Sequence, residues 1–509
     1  MKSISKNPYF QPFLLFILGA VCVLGFAPYY FYPASLFSVL GLCIAWYQAR
    51  TVKQAAKFGF IYGLGLYTVG IYWIYISLHD FGNMPALMAG FFTFLLAAFM
   101  ALFPAMVGAI SKWLSNSRLT YMAITIPAFW ALSDWVRSWI FTGFPWLTLG
   151  YSQVPYSPLA GYIPIIGVYG VSMIAVLAAS LIALLWVNRR NHTPWKYPVF
   201  AMVLLLPVIG GLLKFVEWST PIGKPISVAL LQGNISQKIK WSPEFAQKTI
   251  DLYVGMVKQT KSDLVVLPET ALPLISSQID PLITQQITQH ITTNGGNLIM
   301  GLVEFNNVTE SYFNSAISYG TAPSQYYQKG HLVPFGEFIP LKLVFGWIYR
   351  DWLNMPLSDI SRGGITQKPM QLGNQKIAVN VCYEDVFGEE IIRQLPEATL
   401  LVNISNDAWY GQSYAAYQHM QFSQARALET GRMALRATNT GATAIIDRHG
   451  YVVSHAPHDK NIILQGQAQG YIGATPYVRF GNWLFLIISF VATLLIALPK
   501  ILVRLGKTK

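Results

Sequence analysis

The 509 residues are 53% hydrophobic and only 11% charged, with a formal net charge of +13 and a mean hydropathy of +0.41. Soluble domains average about 25% charged residues, so a purely soluble chain, a disordered one and a collagen-like one are all excluded. Three cysteines, Cys22, Cys43 and Cys382, allow at most one intramolecular bridge, which excludes a disulfide scaffold.

The charge is unevenly distributed. Residues 226–479 hold 18 Lys and Arg against 19 Asp and Glu, whereas the rest of the chain holds 17 basic and 3 acidic residues. The basic excess belongs to the apolar part, where it orients membrane spans. The balanced block offers no basic face to nucleic acid, so no nucleic-acid partner is expected.

From the N-terminus, charge-free stretches run 7–49, 58–79, 81–111, 119–133, 138–188, 197–213 and 480–499. A bilayer core needs about 20 apolar residues per helix. The first stretch accommodates two helices, broken at Pro28-Tyr29-Tyr30-Phe31-Tyr32-Pro33, where proline ends a helix and tyrosine suits the interface. Eight spans are predicted, at 11–27, 34–49, 58–79, 86–111, 120–136, 160–187, 197–216 and 481–503. The chain thus divides into a seven-span membrane domain over 1–217, a folded block over 225–476 and a last span.

With the N-terminus in the cytoplasm, fourteen basic residues face inward: Lys2, Lys6, Arg50, Lys53, Lys57, Lys112, Arg118, Arg189, Arg190, Lys196, Lys500, Arg504, Lys507 and Lys509. The short outer loops hold only Arg137. This bias predicts cytoplasmic termini and a block outside the cytoplasm. Lys2 and Lys6 before an apolar run also suit a signal peptide, and Cys22 a lipoprotein site. Val21 is not small, however, and no small-x-small cleavage site follows, so an uncleaved first helix is expected. The segment 135–146, Trp-Val-Arg-Ser-Trp-Ile-Phe-Thr-Gly-Phe-Pro-Trp, reads either as an interfacial aromatic belt or as an arm dipping into the outer leaflet.

Within the block, strands are predicted at 226–232, 263–268, 298–304, 314–319, 376–382, 399–404 and 442–447. Helical patterns fall near 242–261, 280–293, 387–395 and 415–439. Strands alternating with helices predict an α/β layered domain, and some 250 residues can bury a full core. There is no Gly-x-Ser-x-Gly elbow, His-Glu-x-x-His, phosphate-binding loop or Cys-x-x-Cys pair, and the eight histidines lack metal-ligand spacing. Chemistry without cofactor or metal is expected.

Three ionisable groups stand at the ends of apolar strands: Glu269 after Val265-Val266-Leu267-Pro268, Lys329 after Tyr327-Gln328, and Cys382 after Ala378-Val379-Asn380-Val381. Ligands of α/β sheets bind beyond the strand carboxyl ends. A carboxylate, a lysine and a cysteine converging there can perform acyl transfer, with base, oxyanion partner and nucleophile. Taken singly, a buried cysteine is more often a small hydrophobe, and a strand-end Glu or Lys a solvated cap.

In this chain order the three resemble the Glu-Lys-Cys triad of the nitrilase (carbon–nitrogen hydrolase) superfamily, which implies an α-β-β-α sandwich. Eight spans with such a domain before the last resemble its membrane-embedded branch, the apolipoprotein N-acyltransferases, which complete bacterial lipoprotein maturation. Local sequences agree: Gln232-Gly233-Asn234-Ile235 with Trp241, Pro268-Glu269-Thr270-Ala271, Lys329-x-His331-Leu332-Val333-Pro334-Phe335-Gly336-Glu337, Cys382-Tyr383-Glu384, Ser405-Asn406-Asp407-Ala408-Trp409, and the arm Trp139–Trp146.

The resemblance implies an inner-membrane enzyme with a periplasmic catalytic domain. Its phospholipid donor, commonly phosphatidylethanolamine, gives its sn-1 acyl chain to a cysteine thioester. The chain then passes to the α-amine of a diacylglyceryl-cysteine apolipoprotein. It assigns Glu269 as base, Lys329 as oxyanion partner, Cys382 as nucleophile, Glu337 and Glu384 as supporting carboxylates, and Trp241 and Tyr383 as substrate-contacting or loop-positioning residues. A monomer is expected. The apolar stretch 341–354 reads as a membrane-facing lid, or else as a helix packed on the domain core. A membrane-tethered amidase using the same triad with water is the alternative. A transporter is disfavoured because Asp134 and Arg137, the one opposite-charge pair near a span, lie towards its outer end.

Overall fold

The computed structural model describes residues 9–339 and 360–506, with side chains through Ile496. The stretch 341–354 lies outside the described residues. The chain forms two compact units. The first comprises Met1–Tyr72, Gly90–Val216 and Phe480–Lys509, and the second Trp73–Ala89 and Glu217–Arg479.

The first unit is helical. Its helices include Phe10–Cys22, Tyr32–Gln48, Val52–Gly70, Ile126–Arg137, Ile163–Val187 and Lys196–Leu213. Pro33, Pro127 and Pro164 stand in first turns, where a fixed φ helps and no amide hydrogen is needed. Among the described residues, Ala86–Leu114, Pro158–Val187 and Lys196–Leu213 are long and apolar enough to cross a membrane. Val52–Gly70 with Trp73–Phe81, bent at the break between them, makes a fourth if the pair counts as one span. A Cβ on Gly19 would lie 2.0 Å from the Tyr62 carbonyl oxygen and one on Gly65 1.9 Å from that of Phe16. Only glycine permits that backbone approach between the first and third helices.

The aromatic segment after Ile126–Arg137 is tied down by one buried guanidinium. Arg137 Nη2 donates to Asp134 Oδ1 at 2.8 Å and to Thr148 Oγ1 at 3.0 Å, and Nη1 donates to the carbonyls of Phe144 and Trp146. Trp146 is buried, while Trp139 and Phe141 are exposed.

The second unit is built on two six-stranded sheets. One has the order β12-β1-β2-β3-β4-β5, from Ile462–Ile472, Thr220–Gln232, Leu264–Val266, Asn297–Asn306, Ser311–Gly320 and Tyr326–Gln328. The other runs β11-β10-β9-β8-β7-β6, from Val452–His455, Ala444–Ile446, Ala434–Thr438, Leu400–Ser405, Gln375–Val381 and Met370–Leu372. Pairing is parallel for β1-β2-β3 and β7-β8-β9. Period-two alternation sends Val228, Leu230 and Val266 of one sheet and Val379, Val381 and Ile404 of the other into a shared inner core. The intervening Ala229, Leu231 and Val265 pack under the helices Pro243–Lys258 and Pro281–Thr293, and Ala378 and Leu401 under Ala415–Thr430. The layers are α-β-β-α. With both faces covered, the central strands read as continuous apolar runs.

One helix expectation overran. The pattern at 415–439 splits because Gly431, at φ 65°, stops the helix at Thr430, and Ala434–Thr438 continues as a buried central strand. Trp73–Ala89, from the region expected to be membrane helix, groups with the sandwich. Trp73 Nε1–H donates to Gln418 Oε1 at 3.2 Å and its ring meets Tyr410 edge-on at 4.7 Å. Ser77 Oγ–H donates to the Trp409 carbonyl at 2.7 Å.

Candidate active site

Glu269 lies on the loop that leaves β2. The Leu267 and Ala271 amides donate to the Ile299 and Gly301 carbonyls, laying the loop along β3. A Cβ on Gly301 would lie 2.6 Å from the Glu269 Cα, so glycine is required for that approach. Lys329 follows β5; its amide donates to the Asn314 carbonyl and its own carbonyl accepts from Gly363, both at 2.8 Å. Cys382 follows β7 at φ 52° and opens the 3-10 turn Cys382–Val386. A left-handed non-glycine residue costs on the order of 1 kcal/mol and must be held there by its surroundings.

The structure gathers Glu269, Lys329 and Glu337 around one ammonium. Lys329, 1% exposed, has its Nζ 2.8 Å from Glu337 Oε2 and 3.6 Å from Glu269 Oε1. Burial alone would lower its pKa, but the Glu337 and Glu269 carboxylates outweigh that and hold it well above the usual lysine range. It is a permanent cation. Glu337 also accepts the Val333 amide at 2.8 Å, clamping the loop 333–337. Burial pushes the Cys382 thiol well above its ordinary value. Glu269 and Asp407 push it further, and Lys329 and Ser405 pull it back. The resting group is a thiol, which needs a base to attack.

Glu384 is a brace between the lysine and cysteine segments. Its Oε1 accepts the amides of Gly330 (2.6 Å) and His331 (3.1 Å), and its Oε2 accepts the Val381 amide (2.7 Å) and the Tyr327 hydroxyl (3.0 Å). Burial pushes its carboxyl up to about 7 against these donors. Tyr383 is buried, its ring edge-on to Phe387 at 5.2 Å and to His331 at 5.7 Å. Trp241 is half-buried in the turn before Pro243–Lys258.

Two residues beside the carboxylates were not singled out from sequence. Asn314 Nδ2 donates to Glu269 Oε1 at 2.6 Å and to Glu337 Oε1 at 2.9 Å, bridging them. Lys240, 2% exposed, donates to the Glu269 carbonyl at 3.2 Å and to Thr270 Oγ1 at 2.6 Å, and burial pulls its pKa down to about 8. It holds Thr270, which is left-handed at φ 45°. The available signals were weak: a polar residue opening an apolar strand, and a lysine beside a tryptophan. Among the described residues no group of three or more His, Cys, Asp or Glu could hold a metal ion.

The arrangement suits acyl transfer: a neutral thiol, a carboxylate able to take its proton, and a fixed cation. The apolipoprotein N-acyltransferase N-terminal domain matches residues 18–181, and the carbon-nitrogen hydrolase domain matches residues 227–477. An apolipoprotein N-acyltransferase of Nitrosomonas europaea is 48% identical over 491 residues, covering 96% of this chain and 97% of its own. One of Chromobacterium violaceum is 41% identical over 488 residues, covering 95% and 94%. Among solved structures, a carbon-nitrogen hydrolase from Helicobacter pylori G27 aligns with 51% of this chain and 94% of its own at 18% identity and a TM-score of 0.36. On the two matched domains and near-full-length relatives, the chain belongs to the apolipoprotein N-acyltransferase family.

Proposed function

We propose that the enzyme moves the sn-1 acyl chain of a phospholipid, with phosphatidylethanolamine the expected donor, through a thioester on Cys382 to the α-amine of an N-terminal diacylglyceryl-cysteine of an apolipoprotein. The observation that carries the residue roles is the buried convergence of Glu269, Glu337 and Lys329 beside the Cys382 thiol. Glu269 takes the thiol proton as sulfur attacks the ester carbonyl, and Lys329 stabilises the oxyanion. Collapse breaks the ester bond, and the proton passes to the departing lysophospholipid oxygen. In the second half the acceptor amine attacks the thioester, Glu269 takes its proton, and the thiol is restored. Glu337 and Glu384 keep Lys329 and the cysteine turn in register, and Trp241 and Tyr383 contact substrate or position its loops.

In this reading the chain spans a bacterial inner membrane eight times, with cytoplasmic termini and the 225–476 domain in the periplasm. The fourteen-to-one bias of basic residues supports that orientation. A site at the bilayer surface avoids extracting acyl chains, which would cost about 0.8 kcal/mol per CH₂.

The test is mass spectrometry after incubation with phospholipid alone. A hydroxylamine-sensitive acyl adduct on the Cys382 peptide is expected, and a diacylglyceryl-cysteine peptide should then convert it to N-acyl product. An adduct elsewhere, or release only of free fatty acid, refutes the transfer. For orientation, a cysteine introduced within 242–261 should react with an impermeant thiol reagent once the outer membrane is opened, and one near Arg189 should not. The reverse pattern refutes the periplasmic assignment.

A further inference from the structure

The Ser405-Asn406-Asp407-Ala408-Trp409 motif has no part in the transfer just described, yet it leads directly beneath the nucleophile. Asp407 is 1% exposed; its Oδ1 lies 2.8 Å from His419 Nδ1, and its Oδ2 accepts from Arg436 Nη2 at 2.8 Å. His419, also 1% exposed, presents Nε2 to the carbonyl oxygen of Cys382 at 3.1 Å. Asn403 Nδ2 donates to that same carbonyl at 3.3 Å, and its own Oδ1 accepts from Arg436 Nη1 at 2.6 Å. The carbonyl of the left-handed Cys382 is therefore held from two sides by a buried polar cluster.

The cluster fixes the place of its histidine. Although burial opposes it, Arg436 and His419 hold the Asp407 carboxyl well below the usual range, so it is an acceptor only. A backbone carbonyl is likewise only an acceptor. Both ring nitrogens of His419 face such oxygens, so the ring is held between the Asp407 carboxylate and the Cys382 carbonyl. Arg436 also lies 3.4 Å from Asp385 Oδ2. The Arg436 guanidinium thus ties Asp385, Asp407 and Asn403 together within the buried cluster.

We infer that Asp407 and His419 are positioning residues for acyl transfer: the His419 ring, backed by Asp407, pins the Cys382 carbonyl and keeps the residue in its left-handed conformation beside Glu269 and Lys329. The inference rests on Cys382 being the acyl-accepting nucleophile. The effect of His419 falls on the rate of thioester formation and not on lipid binding, because it touches the backbone of Cys382 and not the lipid.

The test uses the full-length enzyme in phosphatidylethanolamine-containing nanodiscs, with single-turnover acylation of Cys382 followed by mass spectrometry per folded molecule. The variants are His419→Gln, the double variant Asp407→Asn with His419→Gln, and Ser423→Ala. Ser423 donates to Asp385 within the same cluster but not to the Cys382 carbonyl. Both His419 variants should slow acylation at saturating lipid by about 10-fold or more, as small misplacements of a reacting group do, with the half-saturating lipid concentration unchanged. Ser423→Ala should acylate at the parent rate. The inference is overturned if the double variant matches the parent, or if Ser423→Ala slows acylation equally, since the cluster would then only support the fold. If the parent carries no acyl group on Cys382, the nucleophile assignment itself fails and the inference falls with it.

Discussion

Replacing Asn314 by aspartate keeps the shape of the bridge between the two carboxylates and reverses its chemistry. Asn314 Nδ2 lies 2.6 Å from Glu269 Oε1 and 2.9 Å from Glu337 Oε1, so Asn314→Asp sets an oxygen where both carboxylates expect a donor. At an effective dielectric of about 20, two full charges that close repel by about 6 kcal/mol. That would move a carboxyl pKa by several units at about 1.4 kcal/mol each, so the introduced group takes up a proton. It then offers one O–H in place of two N–H donors, and one carboxylate loses a charge-assisted hydrogen bond of about 1.5–3 kcal/mol. Thioester formation should therefore fall roughly 10- to 100-fold near pH 6. It should fall further as pH rises, because ionisation of the introduced carboxyl adds a third anion beside Lys329. The assay is single-turnover acylation from pH 6 to 9, with Asn314→Ala as a pH-insensitive companion. If Asn314→Asp matched the parent in rate and profile, the bridge would play no part in the working enzyme.

Lys329→Ala should lower acyl-enzyme formation by roughly 10²-fold or more while leaving lipid affinity nearly unchanged, as loss of an oxyanion donor does; Lys329→Arg should rescue poorly, since a planar guanidinium does not fit a point-charge site. Weakened lipid binding with an intact acylation rate would make Lys329 a headgroup anchor instead. Lys240 is held near pKa 8 against an ordinary 10.5. The folded protein therefore binds fewer protons than the unfolded chain between those values, and Lys240 makes stability rise with pH across that window. Thermal unfolding of the parent and Lys240→Met from pH 7.5 to 10 should show this component only in the parent. Gly431→Ala forces a side chain into φ 65° and within 2.9 Å of Ser219 Oγ, and should lower unfolding stability by about 1–2 kcal/mol with the acylation rate per folded molecule unchanged.

The elements that were legible from sequence are those buried on both faces. The runs at 226–232, 376–382 and 399–404 fall within β1 or overrun one end of β7 and β8 by a single residue, because a strand covered on both sides has no polar positions to dilute its signal. Edge strands were invisible for the opposite reason: β12 reads Ile-Ile-Leu-Gln-Gly-Gln-Ala-Gln-Gly-Tyr-Ile, with glutamine and glycine on its outer positions. Met433-Ala434-Leu435 after an amphipathic helix looked like its continuation, but the left-handed Gly431 ends the helix and the strand begins at Ala434. At the site, Glu269, Lys329 and Cys382 stood out because each charged or nucleophilic residue ends an apolar run. Asn314, Lys240 and His419 did not. What defines them is a partner 45, 29 or 37 residues away, and no local pattern encodes such a pairing.

The docking of Trp73–Ala89 on the sandwich has a consequence for biogenesis. The indole of Trp73 and its acceptor Gln418 are separated by 345 residues, and the domain they complete is otherwise encoded downstream of residue 216. At about 5–20 residues per second of synthesis, the segment leaves the ribosome roughly 20–70 seconds before its partner surface exists. A polypeptide beginning at Glu217 would lack the Trp73 and Ser77 contacts to Trp409, Tyr410 and Gln418. The sandwich is therefore a split fold whose first piece is delivered early, and its final assembly awaits the arrival of the helix Ala415–Thr430.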